Sequence, residues 1–426
     1  MDLIDNRGHC LRAPMGPPGI AMPRKQLSWI QLTCLFLLIW GVLAMEARQS
    51  MWKEHLGRDV GEFWIRTEKY LTFHLQGTEY PPFAMLYFLL LRWAEFTFHV
   101  GFEKNFVVAN YVLLGLHLAL LNHVAGRRAA ILFGVLILAA GSIVLFRYEL
   151  LVSFLTLVAW CAWRHNWPRC AGVLLAAAIL SKLYPLLLVP LFARPPQGGD
   201  VRRQVRAVGS GLGLGLAGIL LFFWLGGDPI SSFSGVVRFH ENKPVGLEST
   251  PATLAMVFDA IRGAWPSHPV NEYSIHGLRL PAAYRWLMQL GLLASLGALL
   301  YSYWKRGGNL ILTAQAMLVA LIFWTTLFQP QYLIWPVAFT ALLPLTGLEA
   351  RRLYLIGGLF ALALATEQIV FPCHYTEFLA IFYEHRPADI LILAMAISKL
   401  AVIAVFVLSF QAAWNPPSTG TVARKN

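Results

Sequence analysis

Residues 27–45 read LSWIQLTCLFLLIWGVLAM, with no charged side chain and only Ser28, Gln31 and Thr33 interrupting the apolar run. At ~1.5 Å of rise per residue, a helix of this length matches the ~30 Å hydrocarbon layer of a bilayer. The block exceeds a typical signal-peptide core and many others follow it, so it reads as a retained helix. About twelve blocks of roughly 17–25 residues recur, near 27–45, 81–98, 106–125, 129–146, 149–163, 170–193, 207–225, 282–303, 310–328, 331–347, 353–371 and 389–411. The chain is therefore expected to be all-α and polytopic, with about twelve transmembrane helices. A single membrane domain is expected over 27–411, with disordered tails at 1–26, on the cytoplasmic side, and at 412–426.

Composition agrees: 57% of the 426 residues are hydrophobic, 13% are charged, and mean hydropathy is +0.58. Such a chain has lipid as its main solvent. The net charge of +12 does not imply a nucleic-acid partner, because the basic residues are scattered among short loops and form no stripe. They read as topology signals. Arg24/Lys25 and the loop containing Arg194, Arg202, Arg203 and Arg206 are placed on the cytoplasmic side by the positive-inside rule, and Lys305/Arg306 and Arg351/Arg352 agree. Twelve simple crossings put Arg127/Arg128 and the Arg164 to Arg169 stretch on the wrong side. Either one segment between 81 and 193 is re-entrant or the rule is locally violated. Cys10, Cys34, Cys161, Cys170 and Cys373 have no metal-type spacing, so neither a zinc site nor a disulfide framework is expected.

Two loops, 46–80 and 226–281, are too patterned to be connectors, and parity puts both on the outer face. In the first, Val60, Phe63, Trp64, Thr67 and Leu71 recur at helical spacing opposite Glu62, Arg66 and Lys69, which predicts an interfacial amphipathic helix with Asp59 at its start. In the second, Thr250-Pro251 reads as a cap followed by proline at the first helical position, with Leu254, Val257, Phe258, Ile261 and Trp265 forming an apolar stripe.

Asp59 and Glu62 lie close to the expected bilayer surface, where an ionised carboxylate can accept a proton from a hydroxyl. The plainer reading of Asp59 is a helix cap. Glu79 and Tyr80 precede a Pro81-Pro82 pair that excludes helix before it, which returns a carboxylate and a phenol to the same surface. Lys182, in Ser181-Lys182-Leu183-Tyr184-Pro185, sits deep in an apolar run, so its ammonium needs an anion or a wet cavity. The plainer partner is Glu149 or Glu367. Pro185 would break the helix there and open space. Arg147-Tyr148-Glu149 is either a polar site or a tight turn, and Gln329 to Tyr332 with Trp335 is either a polar lining or an interfacial aromatic belt. Arg238, His240, Lys243 and Glu248 form a polar stretch in the second long loop, and Arg92 and Glu95, three apart, pair with each other. The chain has no phosphate-binding glycine–lysine loop, zinc-protease helix, hydrolase elbow or dinucleotide fingerprint.

Taken in order, these motifs resemble those of the GT-C superfamily of membrane glycosyltransferases, in particular the bacterial polyprenyl-phosphate mannosyltransferase-like family. An acidic residue in the first outer loop followed by tyrosine-proline-proline is matched by Asp59 and by Glu79 to Pro82. A basic motif and a later lysine-x-tyrosine-proline are similar to Arg147 to Glu149 and to Lys182 to Pro185. Gln331, Tyr332 and Trp335, and Gly246 to Ser249, look similar as well. The Arg-Tyr-Glu turn departs from the shorter acid or glutamine-asparagine pair expected there, and no aspartate-x-aspartate follows Asp59.

The resemblance implies a GT-C-like fold and transfer of a hexose, mannose by family expectation, from a polyprenyl-phosphate sugar to a lipid or glycan acceptor. The reaction would take place at the outer face of a bacterial plasma membrane; no cofactor is expected, and no metal is assigned because no aspartate-x-aspartate follows Asp59. Asp59 would be the base, with Lys182, Arg147 or the Arg238/His240/Lys243 group on the phosphate. Glu62, Glu79, Tyr80, Glu149, Tyr184, Glu248, Gln331 and Tyr332 are the remaining expected substrate contacts. Attack opposite the leaving group would invert the anomeric centre. A transporter or lipid flippase, or a polyprenyl-linked polymerase or ligase, would also use membrane-embedded charges, but no matched halves appear.

Overall fold

The computed structural model describes residues 25–73, 80–196, 198–226, 245–262, 272–274, 277–279, 282–384 and 390–416. The helices are α1 (Trp29–Ala47), α2 (Ser50–Phe73), α3 (Pro82–Phe98), α4 (Phe102–Ala125), α5 (Arg127–Ala140), α6 (Ile143–Phe146), α7 (Glu149–Arg164), α8 (Pro168–Ser181), α9 (Val189–Phe192), α10 (Val201–Gly226), α11 (Thr250–Ile261), α12 (Ala282–Lys305), α13 (Leu310–Trp324), α14 (Val337–Leu342), α15 (Ala350–Gln368), α16 (Tyr375–Tyr383) and α17 (Ile390–Trp414). Three-residue strands at Glu272–Ser274 and Gly277–Arg279 pair antiparallel, and the Leu278 N–H donates to the Val245 carbonyl at 2.8 Å. Among the described residues, six helices, α1, α4, α10, α12, α15 and α17, are long and apolar enough to cross a bilayer.

The bundle has two chemically distinct ends. At the basic end, Leu27 N–H donates to Asn122 Oδ1 and Arg127 N–H to the Lys25 carbonyl, at 2.8 and 3.0 Å. The segment before α1 is thereby tied to the α4–α5 turn, and Lys25 joins Arg127 and Arg128. Trp163 Nε1 donates to the Arg194 carbonyl at 2.9 Å, and the Arg194 guanidinium reaches the Tyr303 carbonyl. Arg306 lies 4.1 Å over the Trp414 ring. The starts of α5, α8, α10, α13 and α15 therefore share this end with the last turns of α4, α7, α12 and α17.

At the opposite end, Glu46 accepts from the Ser142 N–H at 2.9 Å, which joins the end of α1 to the turn after α5. Gly141 takes a left-handed φ of 63° in that turn, and the Gln368 amide lies where a side chain on it would stand. Only glycine meets both demands without strain. Asn110 Nδ2 donates to the Leu145 carbonyl at 2.9 Å, fixing α6 against the start of α4.

This arrangement puts Arg127 and Arg128 at the same end as Lys25 and changes two of the expected crossings. Phe63 on α2 stacks on Phe88 of α3 and on Phe106 in the first turns of α4, with centroids 4.6 and 5.5 Å away. The Tyr80 ring meets Tyr148 at 6.3 Å. α3 thus begins and ends at the same end of the bundle, so residues 81–98 do not cross it. The block at 170–193 is two segments. α8 stops at Ser181, Lys182 is extended (φ −161°, ψ 139°), and a 3-10 turn at Tyr184–Leu188 with α9 runs back to the basic end. The block at 331–347 is likewise broken into 3-10 turns at Pro330–Ile334 and Leu343–Leu345 around α14.

Two local expectations also change. Ser50 opens α2, so Asp59 lies well inside that helix and does not cap it. Ser249 caps α11, one residue before the expected Thr250, and Leu254, Phe258 and Ile261 are exposed while Met256 and Asp259 face inward. Trp265, residues 1–24 and residues 417–426 lie outside the described residues, and α17 runs past the expected boundary at 411.

The closest helix contact joins α8 and α10 through glycine. A side-chain carbon at Gly211 would fall 2.1 Å from the Arg169 carbonyl, whereas Gly213 faces open space. Overpacking of this kind costs ~1–3 kcal/mol. Gly211→Ala is therefore expected to lower the melting temperature in detergent, while Gly213→Ala, which gains helix propensity, leaves it unchanged or raises it; equal melting of the two variants would contradict this packing.

Candidate active site

Three interruptions of helix meet beneath α2. Between α6 and α7, Arg147 is extended and Tyr148 caps α7. Between α8 and the following turn, Lys182 occupies the C-cap. After α13 the chain extends through Gln329 into the Pro330–Ile334 turn. The first two breaks place charge where helix dipoles favour it, with the Glu149 carboxylate in the first turn of α7 and the Lys182 ammonium at the end of α8. These groups form a salt bridge, and the Glu149 side chain is 1% exposed.

Three rings surround the same ammonium. Lys182 Nζ lies 5.2 Å from the Tyr148 centroid, 5.0 Å from Tyr332 and 5.4 Å from Trp335. Trp335 stacks on Tyr332 at 4.1 Å and on Tyr184 at 4.4 Å, so the cage is itself braced. Ring faces attract a cation that has lost its water, which offsets part of the desolvation cost. Several buried atoms here have no hydrogen-bond partner: Glu149 Oε2, Gln331 Oε1, Trp335 Nε1 and Arg147 Nε. Gln331 otherwise donates through Nε2 to Gln329 Oε1 at 2.6 Å. A cluster of unpaired buried polar atoms calls for an explanation, and a polar ligand supplies one.

Asp59 reaches this centre from α2 and forms a salt bridge with Arg147, the residue before the Tyr148 cap. Burial raises the Asp59 carboxyl above the usual aspartate range, while the Arg147 guanidinium pulls it back down. On the other flank, Glu248 sits in the turn before Ser249. Burial pushes its carboxyl up to about 8, with the Glu367 carboxylate adding to the rise and Lys399 and Arg147 opposing it. Beyond Glu248, Lys399 on α17 holds Glu367 on α15 at 2.8 Å, with both side chains 2% exposed, and Ser398 Oγ donates to the same carboxylate at 2.7 Å. Lys399 Nζ also stands 3.6 Å from the Phe328 ring centre.

Of the residues singled out in the sequence, Asp59, Arg147, Glu149, Lys182, Tyr184, Glu248, Gln331 and Tyr332 converge at this end. Tyr80 borders them through its edge-on contacts with Phe63 and Tyr148. Glu62 lies one turn beyond Asp59 and faces Arg66 at 3.9 Å, half exposed, apart from the cluster. Glu79, Arg238, His240 and Lys243 lie outside the described residues. Arg92 and Glu95 do pair, with Glu68 as a second partner at 2.7 Å. Lys182 takes Glu149, and Glu367 takes Lys399. Sequence reasoning passed over Lys399 and Tyr375, whose phenol is raised first by Glu248 and then by burial. The rule that exposed Lys182, a charge deep in an apolar run, applies equally to Lys399.

The model of glycosyltransferase family 87 matches residues 78–330, which is more than half of the chain. The protein belongs to that family and is a membrane glycosyltransferase. The match takes in Tyr80, Arg147, Glu149, Lys182, Tyr184 and Glu248; it begins after Asp59 and ends just before Gln331. Searches of curated proteins and of solved structures give no match.

Removing one member of a buried ion pair costs ~3–5 kcal/mol, because the other charge is left uncompensated. Lys182→Met is expected to destabilise the protein by about that amount, and the double change with Glu149→Leu is expected to recover most of the loss. A double-mutant cycle on detergent unfolding measures the coupling; additive losses would show that the two groups do not depend on each other.

Proposed function

We propose that the protein transfers a hexosyl group, mannosyl by family resemblance, from a polyprenyl-phosphate sugar to a hydroxyl of a lipid or glycan acceptor. The reading rests above all on one observation: Asp59, a carboxylate brought by α2, lies against Arg147, two residues from the Glu149–Lys182 pair. A base and two cations are thereby brought into one cluster.

In this reading the acceptor hydroxyl gives its proton to Asp59 as its oxygen attacks the anomeric carbon. The bond from that carbon to the phosphate oxygen breaks, and its electron pair leaves with the polyprenyl phosphate. Lys182 and Arg147 stabilise the charge that develops there, which is worth most in a site that excludes water. Attack opposite the leaving group inverts the anomeric centre. The unpaired Gln331 Oε1 and Trp335 Nε1 supply an acceptor and a donor for sugar hydroxyls. Arg238, His240 and Lys243 are assigned to the phosphate on sequence grounds.

The bundle geometry supports twelve passages through the membrane, with α3 outside the count and the block at 170–193 counted twice. All the basic turns then face the cytoplasm of a cell membrane, and the site faces outward. α2 and α11 would rest at the outer surface beside a donor whose prenyl tail stays in lipid.

The deciding experiment is sugar transfer by purified protein from polyprenyl-phosphate mannose to a membrane-lipid extract. Asp59→Asn is expected to lower the rate by ~10²–10⁴-fold in a protein that remains folded, with only a modest loss of melting temperature from the Arg147 charge left behind. Undiminished transfer by that variant would remove Asp59 as base, and failure of the wild type with every lipid-linked sugar would remove the reaction.

The base must be ionised, so activity is expected to fall as pH drops through the raised Asp59 value. Arg147 lowers that value. Arg147→Gln should therefore move the acid limb of the rate profile to higher pH; a limb that stays in place or moves down contradicts the assignment.

A further inference from the structure

A second built feature lies at the basic end, on the far side of the bundle from the proposed active site. The first turns of α8 and α10 border an open cavity of about 1200 Å³ lined by Asn166, Trp167, Arg169, Arg203, Arg206 and Ser210, among others. Its walls are fixed, because α8 and α10 touch backbone to backbone here. Side-chain carbons added at Gly172 and Gly211 would fall 2.3 and 2.1 Å from the carbonyls of Val208 and Arg169.

The charge of the cavity lining is predominantly positive. Arg169, Arg203 and Arg206 are exposed and enter no ion pair among the described residues. The acidic residue of the lining, Asp200, is already engaged by the Arg202 N–H at 2.8 Å. Three guanidiniums around one concave space favour a phosphate, which the arginine fork matches in geometry as well as charge.

The surface running away from the cavity is apolar. Arg203, Arg206, Ser210, Leu214 and Leu221 follow one face of α10 at helical spacing. Leu214 is 70% and Leu221 60% exposed. On α8, exposed Val173 lies one turn from Arg169. Trp167, 64% exposed at the mouth, is the residue type that settles at a headgroup boundary. Phosphate-binding groups at one end and an uncovered apolar strip leading from them describe the two parts of a lipid.

We propose that this cavity binds the headgroup phosphate of an anionic phospholipid in the leaflet at the basic end, with the acyl chains along Val173, Leu214 and Leu221. Basic pockets between membrane helices are a recurring form of such recognition. The site is independent of the transfer reaction and stands or falls separately from it.

The test is native mass spectrometry of the full-length protein from neutral detergent, titrated with phosphatidylglycerol, with phosphatidylcholine of the same chains, or with phosphatidylglycerol in the presence of inorganic phosphate. Phosphatidylglycerol is expected to bind at least about tenfold more tightly than phosphatidylcholine, and equimolar inorganic phosphate is expected not to displace it; one such factor of ten corresponds to ~1.4 kcal/mol. The double change Arg203→Gln/Arg206→Gln should weaken phosphatidylglycerol by at least about tenfold, and Arg169→Gln alone by a smaller factor. Arg351→Gln/Arg352→Gln, at the start of α15 on the same end, should leave binding unchanged. Binding of phosphatidylglycerol should also raise the melting temperature of the wild type more than that of the Arg203/Arg206 variant. Equal loss in the α15 variant would show unspecific surface charge. Displacement by inorganic phosphate would show a simple anion site. Undiminished binding in the Arg203/Arg206 variant would place the lipid elsewhere. Each of these three results overturns the proposal.

Discussion

A charge withdrawn from water and from lipid must find another charge, and the Glu149–Lys182 pair meets that requirement where two helices stop. The end of α8 would expose carbonyl groups and an ammonium, and the start of α7 would expose N–H groups and a carboxylate. Each charge stabilises the terminus that carries it, and the two stabilise each other. Removing a buried partner is costly for the same reason that the pair is a poor source of net stability. Its presence is better explained by the polar cluster that assembles around it.

The other breaks meet at the same place. Backbone that leaves the helix within a membrane must be covered by protein or line a cavity. The extended Arg147, the extended Lys182 and the turn at Pro330–Ile334 cover one another, with the stacked Tyr184, Trp335 and Tyr332 rings between them. α2 closes the assembly from above with Phe63 and brings Asp59 against Arg147. Glu149 Oε2, Gln331 Oε1, Trp335 Nε1 and Arg147 Nε are among the buried polar atoms without a partner, and here they stand together, where they can serve a substrate. A rigid site set among broken helices suits a reaction in which groups must be positioned before charge develops.

The two ends of the molecule also divide their tasks chemically. Paired buried charges and stacked phenols gather at one end, whereas the exposed arginines Arg127, Arg128, Arg169, Arg203 and Arg206 gather at the other. The turn that ties Lys25 to Arg127 makes this segregation possible, because it sets α4 and α5 running between the ends and leaves α3 at one of them.

The sequence by itself determined the class of protein, since apolar blocks of bilayer length admit few structures other than helices. It also exposed Asp59, Arg147, Glu149, Lys182 and Gln331, because a polar group in or beside such a block is costly and therefore conspicuous. Lys399 was legible by the same rule. Hydropathy could not say which blocks are continuous. A run such as 170–193 has the same apolar content whether it crosses once or turns back at Lys182, and residues 81–98 are apolar enough to cross yet pack along α2 and α4 instead. Partner choice was equally hidden. Lys182 could have taken Glu149 or Glu367, and only the tertiary structure, by bringing the start of α7 to the end of α8 and setting α17 beside α15, decided between them. Ion pairing depends on distances of a few ångströms between groups 32 or more residues apart in the chain, and sequence spacing carries no such distance.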